Sequence, residues 1–93
     1  MDMSLISKDL RYMQKTEIKL KSRYAHSDNR LVHIEGSRWK LKTQYTYRLI
    51  MYKDGTTIQS IDPEGGPFMS VGTEIEGHVI KSISSDGIIE FEE

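Results

Sequence analysis

The sequence predicts a mainly β fold, a small antiparallel barrel or curled sheet preceded by a short N-terminal helix. Two observations carry this expectation. From Thr16 onward the apolar residues recur with a period of two, the signature of strands with one buried face. Turn-forming clusters then interrupt the chain at short intervals, at His26-Ser27-Asp28-Asn29, Gly36-Ser37, Asp54-Gly55 and Ser85-Asp86-Gly87. Short strands separated by such signals favour an antiparallel barrel over a parallel α/β fold.

Only the first stretch has helical spacing. Leu5, Ile6, Leu10 and Met13 suit one face of a helix over Ser4 to Gln14, with Ser4 or Ser7 as N-cap. The chain therefore reads as one domain, with residues 1–15 as a helical arm and residues 16–93 as the β-domain. Ile18, Leu20, Ser22 and Tyr24 alternate with Glu17, Lys19, Lys21 and Arg23, which predicts a half-buried strand turning through 26–29 into a partner at Leu31 to Glu35. Trp39, Leu41, Thr43, Tyr45, Tyr47, Leu49 and Met51 then alternate with polar residues, which predicts one long strand, bent or bulged near its middle. Asp54-Gly55 is expected to close a two-residue type I′ hairpin, with positive φ at both positions, returning through Thr57 to Ile61. Asp62-Pro63-Glu64-Gly65-Gly66-Pro67 should interrupt pairing as an ordered loop or double turn, because its prolines donate no ladder bond. Val71, Ile75, Val79, Ile80 and Ile83 follow, and a final hairpin at 85–87 leads into an acidic last strand. Six or seven strands are expected.

Ninety-three residues bury one modest core. Leu, Ile, Val and Phe supply 22 of them, enough to fold. With no cysteine the chain has neither disulfide nor thiolate ligand, which excludes a cysteine zinc finger and a secreted disulfide scaffold. No apolar run reaches the roughly 20 residues of a membrane helix, and no targeting signal is seen, so a cytoplasmic protein with no membrane association is expected. Residues 1–53 carry 12 Lys and Arg against 5 Asp and Glu, whereas residues 54–93 carry 1 against 9. The halves are thus about +7 and −8. Either the first half offers a basic face to an acidic partner, or the two halves neutralise each other across paired strands.

Catalytic chemistry finds no motif. His26, His33 and His78 lack the spacing that sets two ligands, or an acid and a base, on one face. Asp62, Glu64 and Glu74 are the nearest carboxylates to a metal site, short of a ligand set. No phosphate-cradling or dinucleotide fingerprint occurs, so no cofactor and no metal are expected, and the chain reads as a binding module rather than an enzyme.

The segment Asp62, Pro63, Gly65, Gly66, Pro67 and Phe68 is the strongest candidate for a site. Its glycines let a partner approach the backbone while Phe68 offers an apolar surface; alternatively the segment is a crossover with Phe68 as a core plug. Arg23, Arg38 and Arg48, with Arg30, are the cations an anionic ligand would need. Basic residues also alternate with Trp39, Tyr45 and Tyr47, a combination used to stack nucleic-acid bases. Strict alternation puts those cations on the face opposite the rings, which disfavours nucleic acid as a partner.

The stretch Ile61-Asp-Pro-Glu-Gly-Gly-Pro-Phe-Met-Ser-Val-Gly72, continued by Ile75, Gly77, Val79 and Ile83, resembles a pattern in short proteins of bacteriophages and their hosts. It covers about 25 residues and implies an origin rather than an activity: a phage-encoded or phage-derived protein, acting in the host cytoplasm. Three classes of function follow as expectations. The first is a module that binds, and so inhibits, a host protein or defence component; the second is a sponge for a small signalling nucleotide; the third is a self-assembling virion part. Opposite charge on the two halves and the edges of a long strand favour a homo-oligomer.

Overall fold

The computed structural model describes residues 15–93; the helix expected over Ser4 to Gln14 lies outside them. Nine strands run in chain order: β1 (Glu17–Lys19), β2 (Arg30–Glu35), β3 (Arg38–Lys42), β4 (Tyr47–Met51), β5 (Ile58–Pro63), β6 (Met69–Ser70), β7 (Glu74–Ile75), β8 (His78–Ile83) and β9 (Ile88–Phe91). Six form an antiparallel half-barrel in the order β1-β2-β3-β9-β8-β7, and β4-β5-β6 form a smaller antiparallel sheet. The described residues hold no helix, and the fold is mainly β as the alternation requires.

The core is where the inward residues meet. The half-barrel contributes Ile18, Leu31, Trp39, Leu41, Ile80, Ile83, Ile89 and Phe91, and the small sheet contributes Ile58, Ile61 and Met69. Period two accounts for Trp39 with Leu41 and for Ile89 with Phe91. In β8 the inward pair is Ile80 and Ile83, three apart, because the register shifts between Ile80 and Ser82. Such a bulge bends a strand and curls the sheet.

The expected long strand is two strands in different sheets. β3 ends because its support ends: Lys40 pairs with Ile88, and the N–H of Leu41 donates to the carbonyl of Gly87 at the β8–β9 turn. On the β9 side the ladder stops there, and on the β2 side it stops at Lys42, opposite Arg30; residues 43–46 then leave the half-barrel and β4 starts afresh against β5, Tyr47 facing Pro63 and Met51 facing Ile58. The first strand is likewise shorter than its pattern. Pairing with β2 stops near Leu20, whose N–H donates to the carbonyl of Asn29, and residues 21–28 peel away.

The turn at Asp54-Gly55 is present but is not type I′. Gly55 has φ +72°, whereas Glu76 is the one non-glycine with positive φ among the described residues. Instead the Asp54 carboxylate accepts from the N–H groups of Thr56 and Thr57, at 2.9 and 3.3 Å, in a six-residue connection closed by Tyr52 N–H to the Thr57 carbonyl. These bonds, that from the Thr56 N–H first, hold the Asp54 carboxyl below its ordinary value of 3.8. A lowered folded value stabilises the turn above the unfolded one and loses that contribution as pH falls through the folded one. The protection of the Thr56 and Thr57 amides, measured against their intrinsic exchange at each pH, should fall below pH 3.8 while that of other turns at the same pH does not. In an Asp54→Ala variant that protection should be low already at pH 7, and an acid-insensitive wild type would contradict the capping geometry.

The proline segment departs from expectation too. β5 continues through Asp62 to Pro63, tolerated as the last residue of a strand where its missing N–H breaks no ladder. The chain then turns at Glu64-Gly65, passes a cis Gly66-Pro67 peptide and enters β6. Phe68 is not a core plug: it is 52% exposed, and its neighbour Met69, 1% exposed, fills the core instead. The charged halves do meet in part. Arg48 pairs with Asp62 at 3.0 Å, Lys15 pairs with Glu76, and Arg38 lies opposite Glu90 in the β3–β9 register.

Candidate functional site

Two departures from the alternation create one cleft. The peeled-away segment 21–28 docks on the turn after β5, and the start of β4 forms the third wall. Arg23, Tyr24, Thr46, Tyr47, Arg48, Asp62, Pro63, Glu64 and Gly65 line a volume of about 290 Å³.

Backbone and amide bonds fix the walls. The Arg23 N–H donates to the Gly65 carbonyl at 2.6 Å, and the Glu64 N–H donates to the Thr46 carbonyl at 2.8 Å. Beneath them Asn29, 1% exposed, donates from Nδ2 to the carbonyls of Glu64 at 2.9 Å and Gly66 at 2.5 Å. An amide turned the other way would set its oxygen against two carbonyl oxygens, so this orientation is imposed. Among the described residues its Oδ1 has no hydrogen-bond partner, and neither do the hydroxyls of Ser22 and Ser27 in the preceding segment. Gly65, with φ +85°, packs so closely on Ser27 that a Cβ there would lie 2.9 Å from the Ser27 Cβ.

Tyr24, which lines the cleft and packs on Gly65, belongs to a group of rings. Tyr24 stacks on His26 with centroids 5.4 Å apart and planes 9° apart, and His26 meets Tyr45 edge-on at 5.7 Å and 83°. Tyr24 and Tyr45 are 46% and 49% exposed. Both were expected on core faces, but Tyr24 left its strand with residues 21–28 and Tyr45 sits in the break between β3 and β4. Cations stand beside the rings. Arg48 is mostly exposed and bridges to Asp62, a contact worth less than about 1 kcal/mol in water. Arg23 lies with a guanidinium nitrogen 3.5 Å from where a Gly66 Cβ would be, and it forms no ion pair among the described residues.

Of the residues singled out by sequence, Arg23, Arg48, Asp62, Pro63 and Gly65 line the cleft, with Gly66 beneath it. Pro67 and Phe68 face away into a separate groove with β1 and β7. Arg38 is remote, paired with Glu35 at 3.1 Å. Arg30 is also elsewhere, bridging Glu17 and Asp28. Tyr24 and Asn29 escaped sequence reasoning, which weighed His26 only as a ligand or acid–base residue and Tyr45 only as a ring on the core face. Thr43, Tyr45 and Tyr47 all fit period two, so nothing in the pattern marks the strand break.

Comparison with protein-family models, curated proteins and solved structures returned no match. The site therefore speaks through its chemistry alone.

That chemistry is one of contact. The cleft offers stacking faces, two guanidinium groups and the carboxylates of Asp62 and Glu64, a set suited to holding a partner. The other two histidines lie apart from it: His33 Nε2 sits 2.9 Å from the Gly36 carbonyl, and His78 packs near Phe91. Among the described residues no group of three His, Asp or Glu could hold a metal ion, and no helix is long and apolar enough to cross a membrane.

Proposed function

We propose that this chain is a protein-binding module whose contact surface is the Tyr24-His26-Tyr45 ring group with Arg23 and Arg48 at its side. The observation that carries the reading is the exposed, mutually packed rings, of which Tyr24 packs on the Gly65 turn. Rigid tyrosines cost little entropy on binding, and Tyr and Arg are the residues on which interface energy concentrates. The resemblance of the 61–83 segment to phage proteins supports a host protein, including a defence component, as the partner inhibited by this contact.

A second reading, capture of a small signalling nucleotide, draws support from the Arg23 guanidinium beside stackable rings. It is the weaker one. Asp62 and Glu64 line the same 290 Å³, and negative charge there repels phosphate. Self-assembly, the third, would use the outer edge of β4, where Ile50, Met51 and Tyr52 are exposed.

Capture on the immobilised protein from host lysate, read by quantitative mass spectrometry, tests the first reading. A partner retained by the wild type should be lost with Tyr24→Ala and with Tyr45→Ala, each weakening its affinity at least about 30-fold, as hot-spot residues do. Thermal stability should change by less than about 0.5 kcal/mol, because both side chains are half exposed. Retention of every captured protein by both variants removes the ring group from the interface.

A further inference from the structure

The small sheet has an open side. In the order β4-β5-β6, β4 pairs with β5 on one edge and has no strand on the other among the described residues. Two bonds fix which backbone groups that open edge presents. The Thr46 carbonyl accepts from Glu64 and the Tyr52 N–H donates to Thr57, so both residues turn their backbone toward β5. Direction alternates along a strand, so Arg48 and Ile50 turn the same way, and Tyr47, Leu49 and Met51 point their N–H and C=O groups outward. The register shift between Ile50 and Met51 does not disturb this alternation, because the extra residue, Gln59, lies on β5. Along the same edge Ile50, Met51 and Tyr52 form the one run of consecutive exposed large apolar side chains among the described residues. β4 carries no proline or lysine to blunt it.

We propose that β4 pairs antiparallel with β4 of a second copy of this chain, about a two-fold axis at Ile50. A two-fold pairing sets one residue opposite its own counterpart, and the side chains decide which. With Arg48 on the axis, two guanidinium groups face each other as a like-charge pair. With Leu49 there, Arg48 lies against the partner's Ile50, a cation on an aliphatic side chain. With Ile50 there, the two isoleucines meet, Leu49 faces Met51 of the partner subunit, and Arg48 faces Tyr52 of the partner subunit. This register alone sets every apolar side chain against an apolar one and each guanidinium over a ring. Backbone bonding agrees with it. Leu49 and Met51 both point outward, so each such pair exchanges both of its hydrogen bonds. The Arg48 bridge to Asp62 runs through Nη2, in the plane of the guanidinium, and stacking takes the face. The pairing joins the two small sheets into one and covers the edge against other chains. It does not rest on the ring-group contact: of the cleft's lining it uses Arg48 alone.

The chain has no cysteine, so single replacements in the full chain report which residue lies on the axis. Across a non-hydrogen-bonded pair the Cα atoms lie about 4.5 Å apart, within the roughly 4.4–6.8 Å that a disulfide spans. Ile50→Cys should therefore oxidise to a linked dimer at least about tenfold faster than Arg48→Cys, Leu49→Cys or Ile34→Cys, the last exposed on β2 away from this edge. Without oxidation, sedimentation equilibrium at micromolar concentration should give the wild type twice the chain mass. Ile50→Lys sets two ammonium groups on the axis at an exposed position, and should weaken the dimer at least about 30-fold while the thermal unfolding transition persists. Tyr24→Ala should leave the dimer intact, which separates this proposal from the ring-group reading. A monomeric wild type, a dimer unmoved by Ile50→Lys or lost with Tyr24→Ala, or linkage of Ile50→Cys no faster than of the other three, each overturns the proposal.

Discussion

An Asn29→Leu variant is expected to lose about 2–4 kcal/mol of stability, a large share of the roughly 5–14 kcal/mol available to a domain of this size. Among the described residues, the two hydrogen bonds from Nδ2 of Asn29, the residue that ends the 21–28 segment, are the side-chain bonds that tie this stretch to the turn after β5. Leucine is close in volume, so packing alone changes little, but the carbonyls of Glu64 and Gly66 are left without their donor. A buried, unpaired carbonyl such as that of Gly66 costs about 1–3 kcal/mol, and the part-buried Glu64 carbonyl adds a smaller share, which is why the effect exceeds that of two ordinary bonds. Thermal unfolding should show it as a fall in Tm of roughly 10–20 °C. Asn29→Asp sharpens the test, since a carboxylate there faces two carbonyl oxygens and donates nothing. Its carboxyl must be raised in the folded state, so stability lost at pH 7 should partly return as pH falls below that raised value and the group becomes a donor. An Asn29→Leu variant as stable as the wild type would show that the staple does not hold the loops.

Gly65→Ala is the second large effect, expected at about 2–3 kcal/mol. Part is conformational, because φ at +85° costs an L-residue roughly 1–2 kcal/mol. The rest is steric, because the new methyl would sit 2.9 Å from the Ser27 Cβ and closer still to its Oγ. Removing the obstacle separates the two. In Gly65→Ala with Ser27→Gly the steric part should vanish and about 1 kcal/mol of non-additivity should appear in a double-mutant cycle on thermal unfolding. Strict additivity would mean that the 21–28 segment does not pack on Gly65. The same variant should impair partner binding, since the segment carries Tyr24 and His26.

The two halves of the account differ in how far the sequence discloses them. Mainly β architecture is legible because Trp39 with Leu41 and Ile89 with Phe91 obey period two, and their burial follows from it. The break between β3 and β4 is not legible, since Tyr45 satisfies the same period and its exposure is decided by where β9 begins, at Ile88, far along the chain. Local turn chemistry was half informative. Asp54-Gly55 marks a turn, but its type depends on the Asp54 carboxylate choosing the Thr56 and Thr57 amides over a tighter hairpin. In the candidate site, the unusual Asp62 to Phe68 stretch and Arg23 and Arg48 stand out in sequence for their chemistry. Asn29 looked like turn polarity and proved to be the buried link between two loops 35 residues apart. Long-range hydrogen bonds of this kind leave no periodic trace. The ring group escaped for the same reason: Tyr24 and Tyr45 both reach His26 only because two strands end early.

Native mass spectrometry of the protein recovered from its host tests the binding-module reading most directly, because it reports subunits and retained small molecules together. The account predicts a complex with a second, different polypeptide that disappears with Tyr24→Ala and survives Arg38→Ala, since Arg38 lies outside the cleft. A chain that instead carries a nucleotide, released by Arg23→Ala with no polypeptide partner in any charge state, would contradict it and establish the sponge.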